Sequence, residues 1–131
     1  MQVTDVAFVF YPVRDLARAR RFYEEVLELT VARTSGDGPS GCIEYKIGAV
    51  TLALSADWVD LQPAPGGGVV TFTVRDLDAM LSRLRQHQIP LVVAPTAAFG
   101  GSIAAVADPD GNRVAFHQRT PDLSGPAIVH Q

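Results

Sequence analysis

The sequence contains a single cysteine and no strong excess of either charge, and each scarcity excludes a class of protein. Cys42 stands alone, so an internal disulfide is impossible, which agrees with a reducing compartment. Eleven Lys and Arg residues against 14 Asp and Glu residues give a net charge of −3, and the basic residues are scattered along the chain. We therefore expect no nucleic acid partner, because a phosphate backbone requires a basic stripe.

Long apolar runs are also missing. No run approaches the roughly 20 residues that a membrane helix needs, so a membrane partner is not expected. The segment Met1 to Asp5 has no basic stretch followed by an apolar one, the pattern typical of a secretory leader. These observations predict a cytoplasmic protein.

Two segments resemble binding motifs and fail on detail. Gly66 to Gly68 lacks the following Lys-Ser or Lys-Thr of a phosphate-binding loop, which favours a linker over Pro63 to Gly68. In the acidic run Asp108 to Asn112, Gly111 falls too early for a calcium-binding loop. That run instead contains residues that favour a tight turn.

What the chain does contain predicts one well-packed domain spanning residues 1–131. Hydrophobic residues make up 47% and charged residues 19% of its 131 residues, and the mean hydropathy is +0.15. A chain of this size and composition can bury a substantial core.

One four-residue phrase occurs twice, as Val13-Arg14-Asp15-Leu16 and as Val74-Arg75-Asp76-Leu77. Each copy ends a strand-like run and begins a helix-like run, with Asp15 or Asp76 placed as the N-cap. The chain therefore divides into two similar modules, about residues 3–62 and 68–119, with a tail over residues 120–131.

Residue patterns predict the elements of each module. In module one they are a strand, a helix, a weak strand and a hairpin: Val6 to Val13, Leu16 to Leu27, Leu29 to Arg33, Cys42 to Ile47 and Val50 to Ser55. Module two is predicted to begin with a strand, Val69 to Val74, and a helix that starts at Leu77 and is ended by Pro90. A short strand, Leu91 to Ala94, then precedes a loop through Pro95 and Gly100. A hairpin of Ser102 to Ala107 and Arg113 to Gln118 follows.

These two units, with Phe22-Tyr23, Leu27-Glu28-Leu29 and the Asp108 to Asn112 turn, resemble the vicinal oxygen chelate superfamily. That superfamily includes glyoxalase I, bleomycin-resistance-type binding proteins and extradiol dioxygenases. The resemblance implies an α+β fold of two tandem βαβββ modules. It also implies that their mixed sheets curl into a cup with the helices outside, and that the protein forms a homodimer.

Metal-dependent members of this superfamily carry ligands on the first and last strands of each module. The resemblance places those positions at Phe8, Ala53, Val69 and Ala115, none of which offers a donor atom. Three or more ligands are needed for a divalent metal, and His87, His117 and His130 are too scattered to supply them. We expect no metal site and no cofactor.

Strand alternation predicts which side chains face the cup. If Val70, Phe72 and Val74 face a helix, then Thr71 and Thr73 face the other way. The same argument for the other strands yields a mixed aromatic, hydroxyl and charged set of ligand-binding candidates, as expected for an organic ligand: Phe8, Phe10, Glu44, Thr51, Ser55, Trp58, Thr71, Thr73, Arg113 and His117.

Several of these residues have a second interpretation. Phe8 and Phe10 could fill the cup as ordinary core, and Trp58 and Tyr11 could be lid aromatics or packing residues. Glu44 could act as a general base with His117 as its partner, or be a solvated charge at the rim. Arg113 could clamp an anionic ligand or be solvated.

These residues support three hypotheses about function. The first is metal-independent binding of an aromatic or amphiphilic compound, as in bleomycin-resistance-type proteins. The second is an enzyme, either a metal-free lyase or isomerase using Glu44 or a metal-dependent glyoxalase-like protein with relocated ligands. The third is a structural or regulatory dimer.

Overall fold

The structure, a computed structural model, describes residues 2, 4, 6–36, 41–56, 63–64 and 67–121. The first helix, α1 (Leu16–Arg20), continues as a π-helical segment, Arg21–Val26. The elements follow in chain order as β1 (Val9–Pro12), α1 (Leu16–Arg20), β2 (Val31–Ser35), β3 (Cys42–Ile47), β4 (Val50–Ser55), β5 (Val70–Thr73), α2 (Leu77–Gln86), β6 (Leu91–Ala98), β7 (Gly101–Ala107) and β8 (Arg113–Arg119).

The strands form two four-stranded sheets with the same topology. Sheet one has the order β1-β4-β3-β2 and sheet two the order β5-β8-β7-β6. The first strand of each module pairs parallel with the last, and the other pairs are antiparallel. This confirms the predicted α+β fold of two βαβββ modules. Neither helix is long and apolar enough to cross a membrane, among the residues described.

The chain divides into two compact units. The first comprises Met1–Pro65 together with Pro109–Asn112, and the second comprises Gly66–Asp108 together with Arg113–Gln131. The turn between β7 and β8 therefore belongs to the first unit.

Both copies of the repeated phrase cap a helix, as predicted. Oδ1 of Asp15 accepts from the Arg18 amide at 3.0 Å, and Oδ1 of Asp76 accepts from the Ala79 amide at 3.1 Å. Each aspartate has an extended backbone, which is the usual geometry of an N-cap. The caps satisfy amides that have no partner within the helix.

Sheet one packs against its helix through two tyrosines. The rings of Tyr23 and Tyr45 stack with centroids 5.9 Å apart, and both residues are fully buried. The Tyr45 hydroxyl donates to Oε2 of Glu24 at 2.9 Å, and Arg20 holds the same carboxylate through Nε at 2.7 Å. Burial, together with the bond to Glu24, raises the pKa of Tyr45 well above its ordinary value. The phenol therefore stays protonated and keeps donating.

The π-helical segment ends this first helix with a wide turn. The Leu27 amide donates to the Phe22 carbonyl at 3.1 Å and the Leu29 amide to the Tyr23 carbonyl at 2.9 Å. Between those two donors, Glu28 adopts a positive φ of 61°. The wider turn accompanies the burial of Phe22, Tyr23, Val26 and Leu27, which all lie in the core.

Two strands differ from the sequence-based prediction. The weak strand expected at Leu29 to Arg33 forms two residues later, as β2. The loop predicted through Pro95 is wrong, because β6 runs through this proline and ends at Ala98. Strand β6 lies at the edge of sheet two, where a residue without an N–H can be accommodated.

The Asp108 to Asn112 turn is anchored within the first unit by a buried carboxylate. Oδ1 of Asp110 accepts from the Arg14 amide at 3.0 Å and from Nη2 of Arg18 at 2.9 Å. The Asp110 side chain is 0% exposed. Nearby, Nδ2 of Asn112 donates to the Pro12 carbonyl at 2.9 Å. Nη1 of Arg14 also lies 3.5 Å from Oδ1 of Asp110, so the side chains of Arg14 and Arg18 both pair with this turn at the start of α1.

We predict that Asp110→Asn lowers the free energy of unfolding by about 2 to 3 kcal/mol, because it replaces charge-assisted hydrogen bonds at a buried site. Urea unfolding followed by circular dichroism measures the change. The matched control is Asp78→Asn on the exposed surface of α2, which should cost less than about 1 kcal/mol. Equal effects of the two substitutions would contradict the anchoring role of Asp110.

We predict that Gln88→Gly stabilises the protein. Gln88 follows α2 with a positive φ of 59°, a conformation that costs a residue with a Cβ roughly 1 to 2 kcal/mol. Glycine removes that cost. Its greater conformational freedom in the unfolded chain, however, destabilises the folded state by about 0.4 to 1 kcal/mol, so a net stabilisation near 0.5 kcal/mol is expected. Thermal unfolding of Gln88→Gly beside Gln86→Gly, which replaces a helical residue, should show opposite shifts in Tm. A lower Tm for both variants would refute the prediction.

Candidate functional site

Each sheet has one face toward the helix of its own module and one face away from it, which we call the far face. In sheet two, Oε1 of Gln118 accepts from the Leu77 amide at the start of α2 at 2.7 Å, so Gln118 points toward the helix. Successive strand residues alternate sides, which places His117 on the far face. In sheet one, the contact between Tyr45 and Tyr23 likewise places Glu44 on the far face.

On the far face of sheet one, Glu44 occupies a central position. It lies opposite Ala53 of β4 and opposite Arg33 of β2. Ala53 in turn lies opposite Phe10 of β1. One row of this face therefore carries an aromatic ring, a methyl group, a carboxylate and a guanidinium. The neighbouring rows contribute Thr51 opposite Lys46 and Ser55 opposite Cys42.

Exposure differs among the residues predicted for this face. Phe8 is 49% exposed and Phe10 is half-buried, whereas Ala53 and Ser55 are buried. Phe8 is therefore not closed off as core within the chain. Tyr11 is 7% exposed and lies beside Leu54 toward the helix, which makes it a packing residue. Trp58 lies outside the described residues.

The pKa of the Cys42 thiol depends on the charges of this face. Burial, and after it the negative charge of Glu44, raise the pKa of the Cys42 thiol above its ordinary value. Arg33 acts in the opposite direction. The thiol is thus protonated near neutral pH and is a poor nucleophile. Its pKa depends on the same charged residues that border the proposed ligand site.

The far face of sheet two brings together the remaining candidates. Thr73 lies opposite His117 in the parallel pair, Thr71 lies opposite Ala115, and Arg113 begins the same strand. Nε2 of His117 lies 3.1 Å from the Ala98 carbonyl oxygen. A neutral ring that donates this bond presents Nδ1 as an acceptor, so the bond sets both the orientation and the tautomer of the imidazole.

The positions at which the resemblance leads us to expect metal ligands do not fit a metal. Phe8, Ala53, Val69 and Ala115 hold side chains without donor atoms, and Ala53 and Ala115 are buried. Across the described parts of the chain, no three His, Cys, Asp or Glu side chains come close enough to hold an ion. We derive no step of chemistry through a metal.

A cavity of about 440 Å³ lies elsewhere in the first unit, and the sequence analysis missed it. It lies between the start of α1 and the adjoining ends of β2 and β3, where Leu16, Ala17, Arg20, Ser35 and Cys42 line it. Of these residues, Ser35 and Cys42 belong to a far-face row, and none was a predicted ligand contact. The cavity arises because α1 and the β2–β3 end approach one another in three dimensions, which no local pattern indicates.

Both the sequence and the fold of this chain are similar to those of known proteins. The family model for the glyoxalase/bleomycin resistance protein/dioxygenase superfamily matches residues 5–116. The chain belongs to this superfamily. A comparison with curated proteins finds no match.

Solved structures of superfamily members and other proteins share the fold. An antibiotic-binding protein from Streptomyces sp. CB03234 is 22% identical, with a TM-score of 0.75 over 92% of this chain and 99% of that protein. A lactoylglutathione lyase from Agrobacterium tumefaciens is 21% identical, with a TM-score of 0.69 over 88% and 94%. A virulence protein from Salmonella typhimurium is 25% identical, with a TM-score of 0.70 over 92% and 100%. The superfamily fold thus occurs in both binding proteins and enzymes.

We predict that Glu44→Gln speeds the reaction of Cys42 with a thiol reagent by about two- to fivefold at pH 8, because removing the negative charge lowers the thiol pKa and raises the thiolate fraction. Arg33→Gln should slow the reaction for the opposite reason. Stopped-flow absorbance with Ellman's reagent measures both rates, and Asp78→Asn is the control of equal charge change. Identical rates in all three variants would show that these charges do not act on Cys42.

Proposed function

We propose that this superfamily member binds a small aromatic or amphiphilic compound on the far face of one of its sheets, without a metal. The observation that carries the proposal is that apolar side chains occupy the four positions where the resemblance leads us to expect metal ligands: Phe8, Ala53, Val69 and Ala115. These positions add apolar contact area where a metal-dependent relative would present donors. Apolar walls with a few polar anchors are typical of organic-ligand sites.

The polar anchors stand beside these apolar positions. Glu44 and Phe10 flank Ala53 in adjacent strands, and Thr71 flanks Ala115. The exposed ring of Phe8 and the half-buried ring of Phe10 offer stacking area to a planar compound. The likeness to an antibiotic-binding protein over nearly the whole of both chains supports this choice. The proposed partner is therefore a small organic molecule.

We predict that the uncharged fluorescent probe N-phenyl-1-naphthylamine binds the native protein and that Phe10→Ala weakens its binding about tenfold or more, since an aromatic contact contributes about 1.5 to 3 kcal/mol. Probe fluorescence measures the affinity. Val50→Ala, which trims an exposed side chain next to the turn between β3 and β4, should leave the affinity unchanged. Dialysis against EDTA should also leave it unchanged. A stoichiometric divalent ion whose removal abolishes binding would contradict metal independence.

A second candidate function is a metal-free lyase or isomerase. Glu44 favours it, because this carboxylate lies at the centre of a far face beside Arg33, a group able to orient an anionic substrate or intermediate. The fold similarity to a lactoylglutathione lyase is compatible with this reading.

The enzyme and binding hypotheses make different predictions for Glu44→Gln. If Glu44 is a general base, this variant loses turnover of a bound compound by about 10²-fold or more while still binding it. Mass spectrometry of compounds incubated with the wild-type protein and the variant measures conversion. Recovery of every bound compound unchanged from the wild-type protein supports binding alone.

The assembly and location that we propose are a homodimer in the cytoplasm. Outside the proposed ligand contacts, the large apolar side chains of Val6, Val50 and Phe99 are each more than half exposed in the single chain. Exposed apolar residues of this kind are often covered by a second copy. The single cysteine agrees with a reducing compartment.

A further inference from the structure

The two-residue turn between β6 and β7 has an unusual composition. Phe99 and Gly100 connect the paired residues Ala98 and Gly101, and they have positive φ angles of 52° and 72°. A hairpin turn of this kind favours Asn-Gly, because asparagine and glycine adopt the left-handed conformation at little cost. Phenylalanine has a bulky side chain, so Phe99 is held in an unfavourable backbone conformation.

Packing within the chain does not explain why this position carries an aromatic ring. The Phe99 side chain is 63% exposed, so an asparagine would suit the backbone and bury little less apolar area. Unfavourable backbone conformations that the surrounding structure enforces are concentrated at functional sites. The ring of Phe99 is therefore best explained by a contact outside the folded single chain.

Bonds on both sides of Phe99 hold the turn in place. The Thr120 amide donates to the Gly100 carbonyl at 3.0 Å, and Nε2 of His117 lies 3.1 Å from the Ala98 carbonyl oxygen. Both contacts come from β8 or from the residue that follows it. The turn is thus fixed to the end of β8, and Phe99 has a defined position.

The contact with His117 also shows which face of the sheet the turn approaches. Strand β7 separates β6 from β8, so a flat sheet would place those two strands roughly 10 Å apart. An imidazole cannot span that distance, and the end of β6 must therefore bend toward the His117 side chain. His117 lies on the far face, because its neighbour Gln118 bonds the start of α2. The turn that carries Phe99 thus borders the far face of sheet two.

Apolar and polar groups lie beside this turn on the far face. Thr73 and Ile103 are the cross-strand neighbours of His117, one on each side of β8. Thr73 is exposed and offers a hydroxyl group, and Ile103 is a half-buried aliphatic side chain. A neutral His117 ring that donates through Nε2 to the Ala98 carbonyl presents Nδ1 as an acceptor. An aromatic ring, an aliphatic surface and a hydrogen-bond acceptor therefore occur together at this end of the sheet.

We propose that the far face of sheet two holds a further binding site, for a phenolic ring, in which Phe99 stacks on the ring and Nδ1 of His117 accepts from its hydroxyl group. A phenol suits these groups because it combines an aromatic surface with a hydrogen-bond donor. All residues of this site belong to sheet two. The inference therefore goes beyond the proposed function, whose test concerns Phe10 on sheet one.

Two fluorinated probes that differ in one group test the hydrogen bond. 4-Fluorophenol carries a hydroxyl donor, and 4-fluoroanisole carries in its place a methoxy group that cannot donate. The wild-type protein should bind 4-fluorophenol at least about threefold more tightly, as expected for one net hydrogen bond. His117→Leu should remove this difference. Titrations followed by fluorine nuclear magnetic resonance measure the affinities.

Phe99→Asn tests the stacking ring and separates its function from stability. This variant should bind 4-fluorophenol about fivefold or more weakly, because the stacking partner is lost. Its Tm should rise by about 2 to 4 °C, because asparagine tolerates a positive φ. The matched control is Gln88→Asn, at the exposed positive-φ position that follows α2. The control should also raise Tm but leave the affinity for 4-fluorophenol unchanged.

Each result decides for or against the phenol site. Equal affinities of the wild-type protein for the two probes, or unchanged binding of 4-fluorophenol by Phe99→Asn, would overturn it. A lower Tm for Phe99→Asn beside a higher Tm for Gln88→Asn would also overturn it, by showing that the ring supports the fold. Unchanged phenol binding with loss of a dimer in analytical ultracentrifugation would instead assign Phe99 to an interface between two copies. Binding of N-phenyl-1-naphthylamine through Phe10 is measured separately, so either proposal can fail while the other stands.

Discussion

The alternation of side chains across each strand, held in phase by a helix on one side, is the constraint on which the rest of the structure depends. Tyr45 stacks on Tyr23 in module one, and Gln118 bonds the start of α2 in module two. Once one residue of a strand is directed toward the helix, its neighbours must face away. A shift of one residue would exchange Glu44 with Tyr45 and expose the core.

The same constraint links stability to function. The helix-facing residues of β4 and β8, such as Leu54 and Phe116, are almost fully buried and supply core. Their neighbours on the far faces point away from the helix, although Ala53 and Ala115 among them are also buried. Exposed far-face residues such as Phe8 and Arg119 can vary in chemistry without changing the core.

The positions of both helices and the facing of the strand residues could be predicted from local sequence. The repeated phrase located both helices, because an N-cap aspartate and an apolar stripe act within a few residues. The facing of Thr71, Glu44 and His117 followed from period-two alternation. The length of β6 could not be predicted from the sequence, because Pro95 resembles a strand breaker until its position at a sheet edge is known. The π-helical segment likewise has no simple local pattern.

Long-range contacts were beyond the sequence reasoning. The Asp108 to Asn112 run was interpreted as a turn, and its anchoring role depends on Arg14 and Arg18, more than 90 residues earlier. The cavity beside α1 also depends on the approach of distant elements. It is a rival location for a ligand, because its lining combines Leu16 and Ala17 with the guanidinium of Arg20.

The most direct test of the account is therefore the position of a bound compound. Isotope-filtered nuclear Overhauser spectroscopy of the labelled protein with N-phenyl-1-naphthylamine identifies the side chains that touch the probe. Binding on the far faces predicts contacts with Phe10, Ala53, Thr71 or Ala115. Contacts confined to Leu16, Ala17 and Ile43 would place the probe in the cavity beside α1 and contradict the account.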